Sequence, residues 1–268
     1  MRLPLFQVDA FARDPFRGNP AAVVPLEGWL PDRLLQAIAA ENNLSETAFF
    51  VPEGEGFRIR WFTPVTEVDL CGHATLASAW VILNELFPEW DRVDFGSQSG
   101  PLGVRREGEY YLLDFPSRPP RPVPVPAGLA EALGAEVLEA WLSRDLVAVL
   151  TDEAAVGSLR PDFSALARLD AFAVVATAPG DTCDFVSRFF VPKEGIPEDP
   201  VTGSAHSTLI PFWAQRLGRD RMLARQLSAR GGELLCGLQG DRVAIGGTAV
   251  KVMEENSSCP PAGRVRRC

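Results

Sequence analysis

An internal repeat constrains this chain more than any other feature. Arg60-Trp61-Phe62-Thr63-Pro64 returns 128 residues later as Arg188-Phe189-Phe190-Val191-Pro192, and Phe57 and Phe185 keep the same spacing. Upstream of each copy an apolar run (47–51 and 172–176) meets a turn rich in proline, glycine and acidic residues. Downstream, Gly72-His73-Ala74 leads into an apolar helical stretch over 76–83, and Gly203-Ser204-Ala205 into another over 208–217. There the spacing has grown to 131 residues, which implies three extra residues in the second copy. Repeated order of hairpin, aromatic-proline corner, small-residue turn and helix points to a duplicated unit. Short strands around one good helix, without a regular strand-helix-strand rhythm, predict an α+β fold of two similar halves.

The halves are expected to divide at a proline-rich stretch. Residues 102–115 alternate around Glu107-Gly108-Glu109 as a hairpin does, and Pro116, Pro119, Pro120, Pro122, Pro124 and Pro126 follow as a stiff linker. The expected boundaries are 1–117 for the first half, 118–253 for the second and 254–268 for a flexible tail, with the last strand a candidate to pack on the first half. Within the second half the pattern predicts a helix over 128–142, a strand over 145–150, a short helix over 164–169 and glycine-broken strands over 232–253.

Composition removes several classes of function. A formal charge of −9 opposes an extended phosphate footprint, so no nucleic-acid partner is expected. No uncharged apolar stretch, 171–179 included, reaches the roughly 20 residues of a membrane helix, so no membrane partner and a cytoplasmic location are expected. Cys71, Cys183, Cys236, Cys259 and Cys268 are odd in number and contain no Cys-x-x-Cys pair, which predicts reduced thiols. With only His73 and His206 besides, neither a metal nor a cofactor is expected, and the motifs of nucleotide binding, serine hydrolysis and zinc proteolysis are absent from the chain.

Both histidines lie at the equivalent turn-to-helix segments, where an imidazole can act as acid, base or donor, or serve as a cap. Helix starts built from Gly72 and Gly203 turn backbone N–H groups outward and favour an anion such as a carboxylate; ordinary capping by Asp69, Thr202 or Ser204 is the plainer alternative. Glu46, at the mouth of an apolar strand, is a candidate acid/base whose desolvation would raise its proton affinity. Asp199, between Pro197 and Pro200, is a candidate to orient a substrate hydroxyl or amine, or a plain turn residue.

The chain resembles the PhzF-like isomerases of phenazine biosynthesis, whose fold is that of diaminopimelate epimerase. The resemblance rests on Gln7-Val8-Asp9-Ala10-Phe11, Gly18-Asn19-Pro20-Ala21, Asn43-Leu44-Ser45-Glu46-Thr47-Ala48-Phe49, Val68-Asp69-Leu70-Cys71-Gly72-His73-Ala74-Thr75 and Glu198-Asp199-Pro200-Val201-Thr202-Gly203-Ser204-Ala205, with a weaker match around Gly246-Gly247-Thr248. It implies that each half is a barrel-like sheet around a central helix, with the active site in the cleft between them. It also implies that Glu46 is the acid/base, with His73, Asp199 and Ser204 around a small carboxylate substrate, and that the protein is a homodimer in a biosynthetic process. Epimerases of this fold use a pair of cysteines; Cys71 matches the first, but Thr202 fills the second slot, which disfavours racemisation. A hydrolase using Ser204 or Cys71, and a non-catalytic small-molecule binder, are the other readings.

Overall fold

A computed structural model of the chain describes residues 2–258, with side chains described as far as Glu255. The described chain forms two compact units, one of residues 2–114 with 246–258, the other of Phe115–Ile245. Both are α+β, each a mixed sheet packed on one long buried helix. No described helix is long and apolar enough to cross a membrane.

In the first unit, β1 (Arg2–Ala10) and β2 (Asn19–Pro25) are antiparallel, and α1 (Asp32–Asn42) carries the chain to β3 (Glu46–Glu53), parallel to β2. Antiparallel β4 (Gly56–Phe62) and the short β5 (Glu67–Val68) follow, then α2 (Gly72–Val81). The remaining strands are β6 (Arg92–Ser97), parallel to β4, and the meander β7 (Gly100–Glu107) and β8 (Tyr110–Pro116). A strand over Ala249–Ser258 pairs antiparallel with β1 from Ala10↔Ala249 to Arg2↔Ser258. Helix α2 is buried on every side, with nine of its ten residues inaccessible, because β1, β2, β3 and the 249–258 strand all pack against it. Its alanines, glycine, serine and threonine keep it thin enough for that, as a helix without a polar face must be.

The second unit repeats the plan. It contains β9 (Arg121–Val123), α3 (Leu129–Leu133), β10 (Glu139–Leu142), β11 (Leu146–Val149), α4 (Glu153–Gly157), α5 (Phe163–Leu166), β12 (Val174–Pro179), β13 (Phe185–Val191), β14 (Ile196–Asp199), α6 (Gly203–Leu217), β15 (Arg221–Gln226), β16 (Gly232–Gln239) and β17 (Arg242–Gly247), after which Ala249–Ser258 is β18. The pairings match one for one: β11 is parallel to β12 as β2 is to β3, β12–β13 is antiparallel like β3–β4, and β15 is parallel to β13 as β6 is to β4. Trp61 faces Val68, whereas its counterpart Phe189 faces Asp199. The three extra residues therefore lie in the β13–β14 connection, where the register is bulged and a 3₁₀ turn spans Pro192–Glu194. Strands β12 and β13 are buried nearly throughout, as covered strands with continuous apolar runs are.

Two expectations are corrected. The helix expected over 128–142 stops at Leu133, because Gly134 takes the left-handed conformation (φ 70°) that ends helices; residues 139–142 instead form a strand between β9 and β11. Residues 254–258, expected in a flexible tail, continue β18 along β1, so that strand belongs to the first unit. The rest of that expected tail, with Cys259 and Cys268, lies outside the described residues.

Candidate active site

In the first unit Glu46 opens β3, beside Ala21 of β2, and its side chain is 14% exposed. His73 is the second residue of α2 and is buried. Parallel pairing of β2 with β3, against which α2 packs, brings His73 Nε2 within 3.1 Å of Glu46 Oε2. That oxygen is buried and has no aligned hydrogen-bond donor among the described residues. On the other side of the ring, Asn19 Nδ2 lies 3.1 Å from His73 Nδ1, and Cys71 Sγ lies 3.6 Å from the same nitrogen.

These neighbours set the proton affinities. Burial opposes charge on His73, but Cys71 and the Glu46 carboxylate outweigh it, and the imidazole holds its proton well above the ordinary histidine range. Burial, reinforced by the charge of Glu46, pushes the Cys71 thiol up to about 11, so at neutral pH it is a thiol rather than a nucleophilic thiolate.

Glu46, Cys71 and His73 also bring a carboxylate, a thiol and an imidazole within 4.8 Å of one another, a donor set that divalent ions can use and that spacing along the chain does not disclose. The ring divides these donors, however. Glu46 faces Nε2, whereas Cys71 is nearer Nδ1 than Nε2, at 3.6 Å against 4.0 Å, so the arrangement suits a hydrogen-bonded network better than a single ion.

In the second unit Asp199 ends β14 and accepts a hydrogen bond from the Thr202 hydroxyl. Buried Gln226, at the end of β15, locks this turn: its Oε1 accepts from Thr202 N–H at 2.8 Å, and its Nε2 donates to the Asp199 carbonyl at 2.8 Å. Ser204, the second residue of α6, accepts from Arg144 at 3.3 Å. That guanidinium is gripped by Asp145 at 2.9 and 2.8 Å and stacks 4.9 Å from the centre of Phe172. His206 is fully buried, with Nδ1 2.9 Å from the Thr202 carbonyl. A carbonyl only accepts, so Nδ1 carries the proton. Burial lowers the proton affinity of the ring to about 4, and it is a neutral structural histidine.

The structure thus gathers Glu46, Gly72 and His73 in the first unit, and Asp199, Gly203 and Ser204 at one turn of the second. Neither helix is capped by a side chain; the Thr202 hydroxyl turns to Asp199 instead. Three residues escaped the sequence reading in these roles: Asn19, Arg144 and Gln226. Asn19 stands in a stretch that carried the resemblance, but Arg144 and Gln226 reach their partners only through strand pairing.

Two mixed-sheet units of matching topology, each packed on one buried helix, define the epimerase type of fold. A hydroxyproline epimerase of Agrobacterium vitis shares that fold alone, with a TM-score of 0.62 at 11% identity over 95% of this chain and 92% of its own. A model described as phenazine biosynthesis-like protein matches residues 8–255. An uncharacterised isomerase of Pseudomonas aeruginosa is 53% identical over 253 residues, covering 94% of this chain and 98% of that protein. The crystal structure of a PhzF-family phenazine biosynthesis protein from Enterococcus faecalis is 52% identical with a TM-score of 0.95, covering 97% of this chain and 100% of that one. The chain belongs to the phenazine biosynthesis-like family, the PhzF family, several of whose curated members are named isomerases.

Proposed function

We propose that this protein is a cofactor-independent isomerase that moves a proton between carbons of a small unsaturated carboxylic acid, with Glu46 as both general base and general acid. The observation that carries this reading is the state of Glu46: mostly buried, with Oε2 3.1 Å from Nε2 of a proton-retaining imidazole. A carboxylate so placed is available to a carbon-bound proton, and water is scarce around it. Taking that proton from one carbon and returning it to another carbon of the same face completes the isomerisation. His73 and the α2 start at Gly72 hold polar groups of the substrate. Asp199, Ser204 and the α6 start at Gly203 hold others, and the Arg144 guanidinium at Ser204 favours a carboxylate.

An epimerase of the two-thiol type is less well supported. Cys71 is a thiol of raised proton affinity, and Thr202, at the matching position, donates its hydroxyl to Asp199.

The test is incubation in D₂O with dihydro-hydroxyanthranilate and a panel of small unsaturated carboxylic acids, followed by NMR for deuterium at carbon and for isomer formation. The reading expects exchange that survives chelation and falls at least about 100-fold in Glu46→Gln. Turnover undiminished in that variant would overturn it.

A further inference from the structure

Asn19 is fully buried, in a place prepared for it. Gly18 adopts φ 63° and packs so closely on the Ala10 carbonyl that no Cβ fits there, while Phe11 and Phe16 are held at φ 61° and 69°. Buried Asp9 of β1 anchors the loop by accepting the Phe16 N–H at 2.6 Å. Strand pairing sets Asn19 opposite Ala10, and Pro20 after it restricts Asn19 to the extended region. Non-glycine residues at positive φ persist where the surroundings impose them, and such strain gathers at functional sites. Here it delivers one amide to one imidazole nitrogen.

The second unit offers an independent parallel. In the turn two residues before β11, the strand that matches β2, Arg144 reaches Ser204, the counterpart of His73; by register Arg144 stands one place after the counterpart of Asn19. In both units the entrance of the inner parallel strand reaches the second residue of the central helix.

We propose that Asn19 is a positioning residue for the reaction: by hydrogen bonding His73 Nδ1, a nitrogen it shares with the Cys71 thiol, it fixes the ring so that Nε2–H points at Glu46. The inference rests on the acid/base reading of Glu46. An amide suits the task because its NH₂ can donate to a bare Nδ1 and, turned over, its carbonyl can accept from a protonated one. The titratable groups facing His73 are Glu46 from β3 and Cys71 from the turn before α2. Asp9 of β1 is engaged with Phe16 N–H, and β2 contributes the neutral Asn19.

With only two histidines in the chain, ¹⁵N-histidine labelling of the whole protein yields two ring spin systems. His206, buried in the second unit, serves as the internal reference for folding. In the wild type we expect a His73 Nε2–H signal protected from solvent exchange. Asn19→Leu, close in size but without polar atoms, is expected to shift that signal and speed its exchange at least about tenfold, and to lower kcat about tenfold with little change in KM. Asn19→Asp keeps an acceptor on Nδ1, so it is expected to restore the protected signal and to raise the His73 titration midpoint by about one unit. An unmoved His73 signal in Asn19→Leu with His206 intact overturns the proposal, as does an unmoved midpoint in Asn19→Asp. If Asn19→Leu loses the His206 signal, the Asn19→Asp titration alone decides. These NMR readings need no substrate, so they stand apart from failure of the Glu46 reading, which shows only as absent proton exchange.

Discussion

The two turn-to-helix segments are built alike and have opposite chemistry. Each helix starts on glycine, then a polar residue, then alanine, and each sits behind an arginine-glutamate pair that the repeat has kept, Arg60 with Glu67 and Arg188 with Glu198. Yet His73 retains its proton above the ordinary range, whereas His206 gives its proton up by about pH 4. Thr47 pairs with Phe62 and Val174 with Phe190, so Glu46 corresponds to Ala173 in the second unit, where Ser204 stands in the place of His73. The second unit thus has neither group of the pair, and burial lowers the proton affinity of His206. The repeat keeps the scaffold, whereas the carboxylate–imidazole contact belongs to the first unit.

Breaking the pair should have the largest effect. His73→Ala is expected to lower turnover about 100-fold or more while leaving the fold intact, whereas His206→Ala should leave kcat within about threefold and act on stability instead. Steady-state kinetics beside urea melts separates the two outcomes. Next comes acid sensitivity. The folded-state proton affinity of His206 lies below the ~6.5 of an unfolded chain, so the unfolded chain binds the proton first as pH falls. The stability this ring contributes is present above about pH 6.5 and lost between there and pH 4, up to about 3 kcal/mol. His73 has the opposite sign: its contribution is present below about pH 6.5 and lost as pH rises through its raised folded-state value. Urea midpoints across pH, in wild type and in each histidine variant, resolve the two slopes.

The arginine pairs sharpen the comparison further. Arg188 is 10% exposed and Arg60 19%, and Arg60 also pairs with Asp32. Glu198→Gln should therefore destabilise by about 3 kcal/mol, and Glu67→Gln by about 1 kcal/mol, in equilibrium unfolding. Smallest of all is Cys71→Ser, expected to leave turnover within about threefold, because the group it replaces is a thiol and not a thiolate. A large loss there would favour the two-thiol type of chemistry.

The repeat was legible because aromatic strands and small-residue helix starts are local patterns. Even the three-residue insertion could be counted before its place in the β13–β14 connection was known. The helix over 128–142 was misread because apolar spacing suits either a helix or buried strands, and Gly134 alone decides between them. Glu46 and His73 were each singled out by local setting and by motif resemblance. Their 3.1 Å contact depends on β2, β3 and α2 packing together, which no stretch of sequence contains. Arg144 and Gln226 were missed for the same reason. The arginine at Ser204 comes from a hairpin turn sixty residues upstream.

The pairing of β18 with β1 joins the two ends of the described chain across the first unit. The second unit, by contrast, is one continuous stretch. During synthesis the second unit therefore has all its strands before the first has its last one, although the first emerges earlier. Until Ala249–Ser258 has been made, β1 lacks its partner along Arg2–Ala10, and α2 with His73 lacks one of its covering strands. Such distant contacts form late. A nascent or truncated chain without β18 should accordingly be incomplete first around Glu46 and His73, so that this contact matures only after residues 249–258 have been made.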